Sequence, residues 1–203
     1  MFYRSDENRP EALRHNPFKA IVAPRPIGWI STLDAEGRPN LAPYSFFNGI
    51  ADAPMMVMFA STGSKPGESG AKDSAANAEA TGEFCCNLVS EPLLQAMNVT
   101  SAHYPAGVNE FEEAGLEMAP CELIAPPRVR AAPANLECRV WQVIRLPGAE
   151  NRLVIGQVVG LHIREEYVHD GIFDVTLARP VARLGYRDYC TVREVFALAR
   201  PGE

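Results

Sequence analysis

The strongest constraint on this fold is a pair of long strand-like runs, Asn135 to Leu146 and Arg152 to Arg164, joined by the turn segment Pro147-Gly148-Ala149-Glu150-Asn151. Such a pair reads as a hairpin, and a hairpin of that length calls for an antiparallel sheet. A second hairpin lies upstream. From Ala20 to Leu33 the chain is apolar, with Pro24 and Pro26 holding its early part extended. Asp34-Ala35-Glu36-Gly37-Arg38-Pro39 is turn chemistry, and Asn40 to Ile50 forms one further extended run. Shorter strand candidates are Met55 to Ala60, Glu83 to Val89, Val181 to Leu184 and Thr191 to Leu198.

Helices occupy the intervals between these strands. Lys72 to Thr81 is alanine-rich, begins with capping residues and stops at Gly82. Glu91 to Asn98 places Leu93, Leu94 and Met97 on one face, and Val108 to Leu116 has room for a helical turn or two. Pro120 to Pro133 is an extended, proline-rich connector. No fixed-period repeat is present. The expected fold is therefore mainly β: an antiparallel barrel with a few short inserted helices. Residues 1 to 18 are expected to be a polar arm, and 19 to 203 a single domain.

Composition narrows the function. The chain has 203 residues and a formal charge of −6, which excludes a general nucleic-acid binder because phosphate neutralisation needs a basic face. No apolar run approaches the ~20 residues of a membrane helix. The N-terminus lacks the apolar stretch of a signal peptide, so a cytoplasmic location is expected and the sequon Asn98-Val99-Thr100 is without consequence. At this size about 70% of the unfolded surface is buried on folding, so no stapling metal or disulfide is required. The five cysteines, Cys85, Cys86, Cys121, Cys138 and Cys190, show no C-x-x-C spacing. Cys85 and Cys86 suit small buried thiols, with a redox role as the alternative.

Familiar catalytic motifs are missing. There is no G-x-G-x-x-G, P-loop, H-E-x-x-H or G-x-S-x-G, and none of the four histidines is paired at metal-ligand spacing. The charge distribution is more informative. Ala51 to Pro120 carries ten acidic residues and only two basic ones, Lys65 and Lys72, both flanking a segment rich in glycine and serine. That segment leads into the N-terminus of the Lys72 to Thr81 helix. Free backbone N–H groups and the positive end of the helix dipole can hold a phosphate there, with Lys72 adding charge and Ser74 a hydroxyl. Asp73, which would repel an anion, suits a helix cap instead. A phosphate site and a plain capped helix both fit. Upstream, Tyr44-Ser45-Phe46-Phe47-Asn48 can seat a flat heteroaromatic ring or simply fill a barrel core.

Three runs in order, Arg25-Pro26-Ile27-Gly28-Trp29-Ile30-Ser31-Thr32, Asn40-Leu41-Ala42-Pro43-Tyr44-Ser45-Phe46-Phe47-Asn48, and Lys72-Asp73-Ser74 with Asn77, resemble the flavin reductase-like family. Later segments agree: Glu83-Phe84 with Asn87-Leu88, Asn109-Glu110-Phe111-Glu112 with Gly115-Leu116, Pro126-Pro127-Arg128-Val129, Leu136-Glu137-Cys138, and Arg183-Leu184-Gly185 with Tyr189. The resemblance implies an FMN-binding split β-barrel, dimeric with itself, with FMN held noncovalently near the subunit interface. Carried over by position, Trp29, Ser31, Thr32, Ala42, Ser45, Phe46, Phe47, Asn48, Ala60 and Ser61 would line the flavin, while Lys72 and Ser74 would take its phosphate. Ser74 stands where the family often has threonine, and the Gly63 to Gly70 loop is longer than the family pattern. His103 is a pocket candidate or a surface residue. The implied activity is NAD(P)H-dependent reduction of flavin with onward electron delivery to an acceptor protein. The alternatives are an FMN-binding electron carrier reduced by a protein partner, and a module for haem or another ligand on the same scaffold.

Overall fold

The computed structural model describes residues 1–64 and 70–202. Lys65 and the middle of the Gly63 to Gly70 loop therefore lie outside the described residues. After a turn-rich arm, the chain makes one helical turn, α1 (Phe18–Ile21), and a short strand, β1 (Arg25–Pro26). The first hairpin is β2 (Gly28–Leu33) and β3 (Pro39–Tyr44), followed by β4 (Phe47–Asp52) and β5 (Met55–Ser61). Helix α2 (Asp73–Thr81) leads into β6 (Glu83–Leu88), and α3 (Leu94–Val99) and α4 (Glu110–Glu113) follow. A small ladder pairs β7 (Met118–Ala119), just before the proline-rich connector, with β8 (Arg128–Val129) inside it. The long hairpin is β9 (Ala134–Arg145) and β10 (Arg152–Ile163). Beyond it come β11 (Val168–His169), β12 (Ile172–Phe173), α5 (Val175–Ala178), β13 (Val181–Arg183) and β14 (Tyr189–Thr191).

Seven strands form one antiparallel sheet in the order β3-β2-β6-β9-β10-β5-β4. Its two ends, β3 and β4, are consecutive in sequence and separated only by Ser45 and Phe46. The sheet must therefore curl until its edges are neighbours, although no ladder joins them among the described residues. This is a barrel with a split. Side chains bridge the gap, the Tyr44 and Phe59 rings lying 5.0 Å apart, while Ala60 N–H donates to the Phe46 carbonyl at 2.7 Å and extends the β4–β5 ladder up to the crossing. Gly28 lets the Phe47 ring seat against β2, since a Cβ there would fall 2.4 Å from that ring.

The structure corrects three sequence expectations. The run Asn40 to Ile50 is two strands on opposite edges of the sheet, because the chain crosses the split at Ser45–Phe46. The apolar segment from Ala20 begins as the helical turn α1, whose N–H groups bond back to Pro17 and Phe18 carbonyls. Thr191 to Leu198 is strand only at its start. Val192 N–H to the Pro180 carbonyl is its last ladder-like bond, and beyond it Phe196 and Leu198 are exposed.

Two cores result, one on each face of β2. Inside the barrel, Ile30, Phe59, Phe84 and Val154 pack with Ala75 and Ala78 of α2, which plugs the lumen. On the outer face, Trp29, Leu41, Met97, Phe111 and Val129 are sealed by α3, α4 and the connector. Alternate residues of a strand point to opposite faces, so neighbouring Trp29 and Ile30 are both fully buried in different cores. Each such large side chain contributes about 1.5–3 kcal/mol by leaving water. No helix among the described residues is long and apolar enough to cross a membrane.

Candidate functional site

Where the split meets the start of α2, a cleft of about 260 Å³ opens. Its walls come from the β3 edge, the Ser45–Phe46 crossing, the end of β5, the start of α2 and the Thr100 to Tyr104 segment after α3. Lys19 also reaches it. Segments far apart in sequence thus converge on one space.

The α2 end of the cleft is built for negative charge. Lys72 occupies the N-cap position with extended backbone (ψ 151°), and its own side chain makes no capping hydrogen bond. Asp73 is thus the first helical residue and not the cap that the sequence suggests. A nine-residue helix presents its positive dipole end and first N–H groups to that region. Burial lowers the pKa of Lys72 below its usual value, and the nearby charge of Lys19 lowers it further. Lys19 and Lys72 share this partly dry space with Asp73 and Glu110, and an anion held between the two lysines relieves their mutual repulsion.

Lys19 owes its position to Arg25. The buried Arg25 guanidinium donates to the carbonyls of Lys19, Val22 and Leu184, which ties α1 to the chain near β13. The Lys19 ammonium then lies 5.7 Å from the Phe46 ring centroid, and the Arg25 guanidinium 5.9 Å from it. These contacts hold the aromatic wall and the cations together.

Below the cleft lies a buried polar network. Asn40 Nδ2 donates to Ser74 Oγ at 2.8 Å, and Asn77 Nδ2 donates to Thr32 Oγ1 at 3.2 Å. Tyr44, buried beside Ser74 and Ser61, has its phenol pushed up to about 12 by burial, so it stays neutral. Glu110, also buried and on the lining, accepts the Leu41 N–H at 2.9 Å and fixes α4 to the β3 edge.

Of the residues expected at the site, Ala42, Ser45, Phe46, Ala60, Lys72, Ser74 and His103 line this cleft together. Ser74 is nearly inaccessible and already accepts from Asn40, so it belongs to the floor. His103 is exposed at the mouth. The remaining expected residues stand off the lining. Trp29 is buried in the outer core with its indole N–H donating to Thr100 Oγ1 at 2.9 Å, and Ser31 Oγ donates to the Pro127 carbonyl at 2.6 Å. Thr32 supports the floor from beneath. Phe47 is seated on Gly28, Asn48 is exposed on the β4 edge, and Ser61 is buried at the end of β5. Lys19, Asn40 and Glu110 were absent from the expected set, and Tyr44 was expected only as part of the aromatic run that could seat a ring. Asn40, Tyr44 and Glu110 lie within the motifs already quoted, but nothing local marks Lys19, which is brought in by Arg25 from outside them.

Comparison with known proteins agrees with this architecture. An uncharacterized protein of Deinococcus radiodurans is 37% identical over 199 residues, covering 94% of this chain and 86% of its own. The crystal structure of nitrilotriacetate monooxygenase component B from Bacillus cereus superposes with a TM-score of 0.87 at 29% identity, covering 98% of each chain. The 2-nitrobenzoate 2-nitroreductase of Pseudomonas fluorescens gives 0.80 at 28% identity, covering 91% of this chain and 89% of its own. The flavin reductase like domain matches residues 22–185, and the chain belongs to that family.

Proposed function

We propose that the cleft binds FMN and that the protein is an oxidoreductase passing electrons from NAD(P)H through the flavin to an acceptor. The observation that carries this reading is the pairing of Lys19 and Lys72 at the start of α2, next to the aromatic wall of Tyr44 and Phe46. A dianionic phosphate satisfies the cations and the helix terminus, and a flat ring suits the β3 edge and the crossing. The residues present therefore fit the group. The family and the relatives described as a monooxygenase component and a nitroreductase support the same reading.

When bound, FMN supplies the hydride-accepting ring. The chain's own tasks are then positional. Lys72 and Lys19 hold the phosphate, and Ser74, fixed by Asn40, keeps the first turn of α2 in place. Ala42, Ser45 and Ala60 line the cleft with small side chains that leave the ring room. Glu110 pins the wall opposite, and His103 stands at the mouth where a second nucleotide would enter. No acid-base pair at the reacting atoms is needed, because hydride transfer makes no demand for one.

We also read the chain as a homodimer, since Trp141, Leu161, Ile50 and Met55 leave apolar side chains exposed on β9, β10, β4 and β5. Sedimentation of the FMN-loaded protein at the monomer mass would refute that. The activity is tested by mixing FMN-loaded protein anaerobically with NADH or NADPH and following the visible flavin band. Bleaching by at least one nucleotide is expected. Persistence of the band with both would refute the reductase reading and favour a carrier reduced by a protein partner.

A further inference from the structure

Away from the cleft, a second group of chemically competent side chains meets on the outer face of the long hairpin. Cys121, Glu137 and His162 place a thiol sulfur, a carboxylate oxygen and an imidazole nitrogen within 4.8 Å of one another. None of the three lines the cleft. Glu137 lies on β9 and His162 on β10, while Cys121 arrives from the connector that folds back over the sheet between β7 and β8. Their separations along the chain, 16 and 25 residues, match no ligand motif, so only the folded sheet assembles them.

The group is organised as metal ligands usually are. Glu137 is 1% exposed, and both its oxygens are held: Oε1 accepts the Glu122 N–H at 2.8 Å and Oε2 the Leu123 N–H at 2.7 Å. These two backbone bonds fix the carboxylate and tie the residues next to Cys121 to it. They play the outer-shell role that orients ligands around a bound ion. His162 Nε2 lies 2.5 Å from Glu137 Oε1, within hydrogen-bond distance. Cys121 is half-buried and gives the group a path to solvent.

We propose that Cys121, Glu137 and His162 form a site for a borderline-soft divalent cation, zinc being the best match. A thiolate, an imidazole and a carboxylate are the donor types zinc prefers, and three protein ligands leave a fourth tetrahedral position for water. The cation replaces the hydrogen-bonding proton between His162 and Glu137 and the proton of the Cys121 thiol. Tetrahedral bonds of about 2.0–2.1 Å separate nitrogen and oxygen by roughly 3.3 Å. His162 therefore has to recede by about 0.8 Å from its present contact. Its side chain is 20% exposed, which allows that movement. The site ties the connector to the β9–β10 hairpin and owes nothing to flavin.

The test uses the full chain, freed of metal by chelator and then titrated with zinc against a chromophoric competitor. One zinc per chain is expected, with Cys121→Ser weakening binding by more than the roughly 10–100-fold typical of losing an outer-shell partner. His162→Gln should act likewise, and Cys86→Ser, altering a thiol inside the barrel core, should leave affinity unchanged. Cobalt in place of zinc should give the near-ultraviolet thiolate charge-transfer band and the intense visible bands of a tetrahedral site. Absence of stoichiometric zinc, or affinity unchanged in Cys121→Ser, overturns the proposal. If His162→Gln fails to fold, the cobalt spectrum of the unsubstituted chain decides: the thiolate band supports the site and its absence refutes it. FMN binding, read from the flavin's own spectrum, is expected to be the same with and without zinc.

Discussion

Replacing Lys72 by alanine tests the anion end of the cleft most directly. Lys72 is half-buried at the N-cap of α2, with Lys19 as the other cation facing the space. At an effective dielectric of about 20, a unit charge pair 4 Å apart is worth ~4 kcal/mol before desolvation and screening. Charge-assisted hydrogen bonds in proteins retain about 1.5–3 kcal/mol of such an interaction. Lys19 and the helix terminus remain in the variant, so a loss of about 2–3 kcal/mol is expected, which is ~30–150-fold in Kd. The discriminating comparison is riboflavin, which has the same ring and no phosphate. Titrations followed by quenching of flavin fluorescence should show FMN weakened by that factor in Lys72→Ala and riboflavin changed by less than about threefold. Equal losses for the two ligands would refute a phosphate role for Lys72, and unchanged FMN affinity would remove the site from this cleft altogether.

Further consequences can be checked separately. Gly28→Ala places a methyl 2.4 Å from the Phe47 ring across the split, and should cost about 1–3 kcal/mol in denaturant unfolding; adding Phe47→Leu should restore part of it. Trp29→Phe removes the indole bond to Thr100, and should lower stability by about 1–3 kcal/mol while leaving FMN affinity within about twofold, because Trp29 stands outside the cleft. A larger change in affinity would mean that the flavin reaches β2. The ratio of FMN to riboflavin affinity should fall as pH rises through the Lys72 pKa, because only the charged ammonium favours the phosphate. Burial and Lys19 lower that pKa, so in the ligand-free protein the decline should begin below the 10.5 of an ordinary lysine, and bound phosphate should move it back upward. A ratio independent of pH would contradict the assignment.

Much of this was legible from residues alone. The two hairpins, the α2 helix with its left-handed Gly82 terminus (φ 76°) and the mainly β architecture follow from local chemistry: strand runs, turn residues and a capping glycine act over a few positions. Lys72 at a helix start was visible for the same reason. What local pattern cannot carry is the register of distant strands. The run from Asn40 to Ile50 looks like one strand, and only barrel closure divides it at Ser45–Phe46. Trp29 and Ile30 are both apolar on one strand, and only the packing of α3 and α4 on the outer face decides that Trp29 belongs to a core and not to the cleft.

The same division governs charge. A sequence reports that lysines are scarce here, and that Lys72 opens a helix. It does not report that Arg25, by gathering the carbonyls of α1 and Leu184, swings Lys19 across 53 positions of chain to face Lys72. Electrostatic interaction depends on distance through space, and sequence fixes only distance along the chain. For Cys121, Glu137 and His162 as well, the residue types belong to the sequence and their meeting belongs to the sheet.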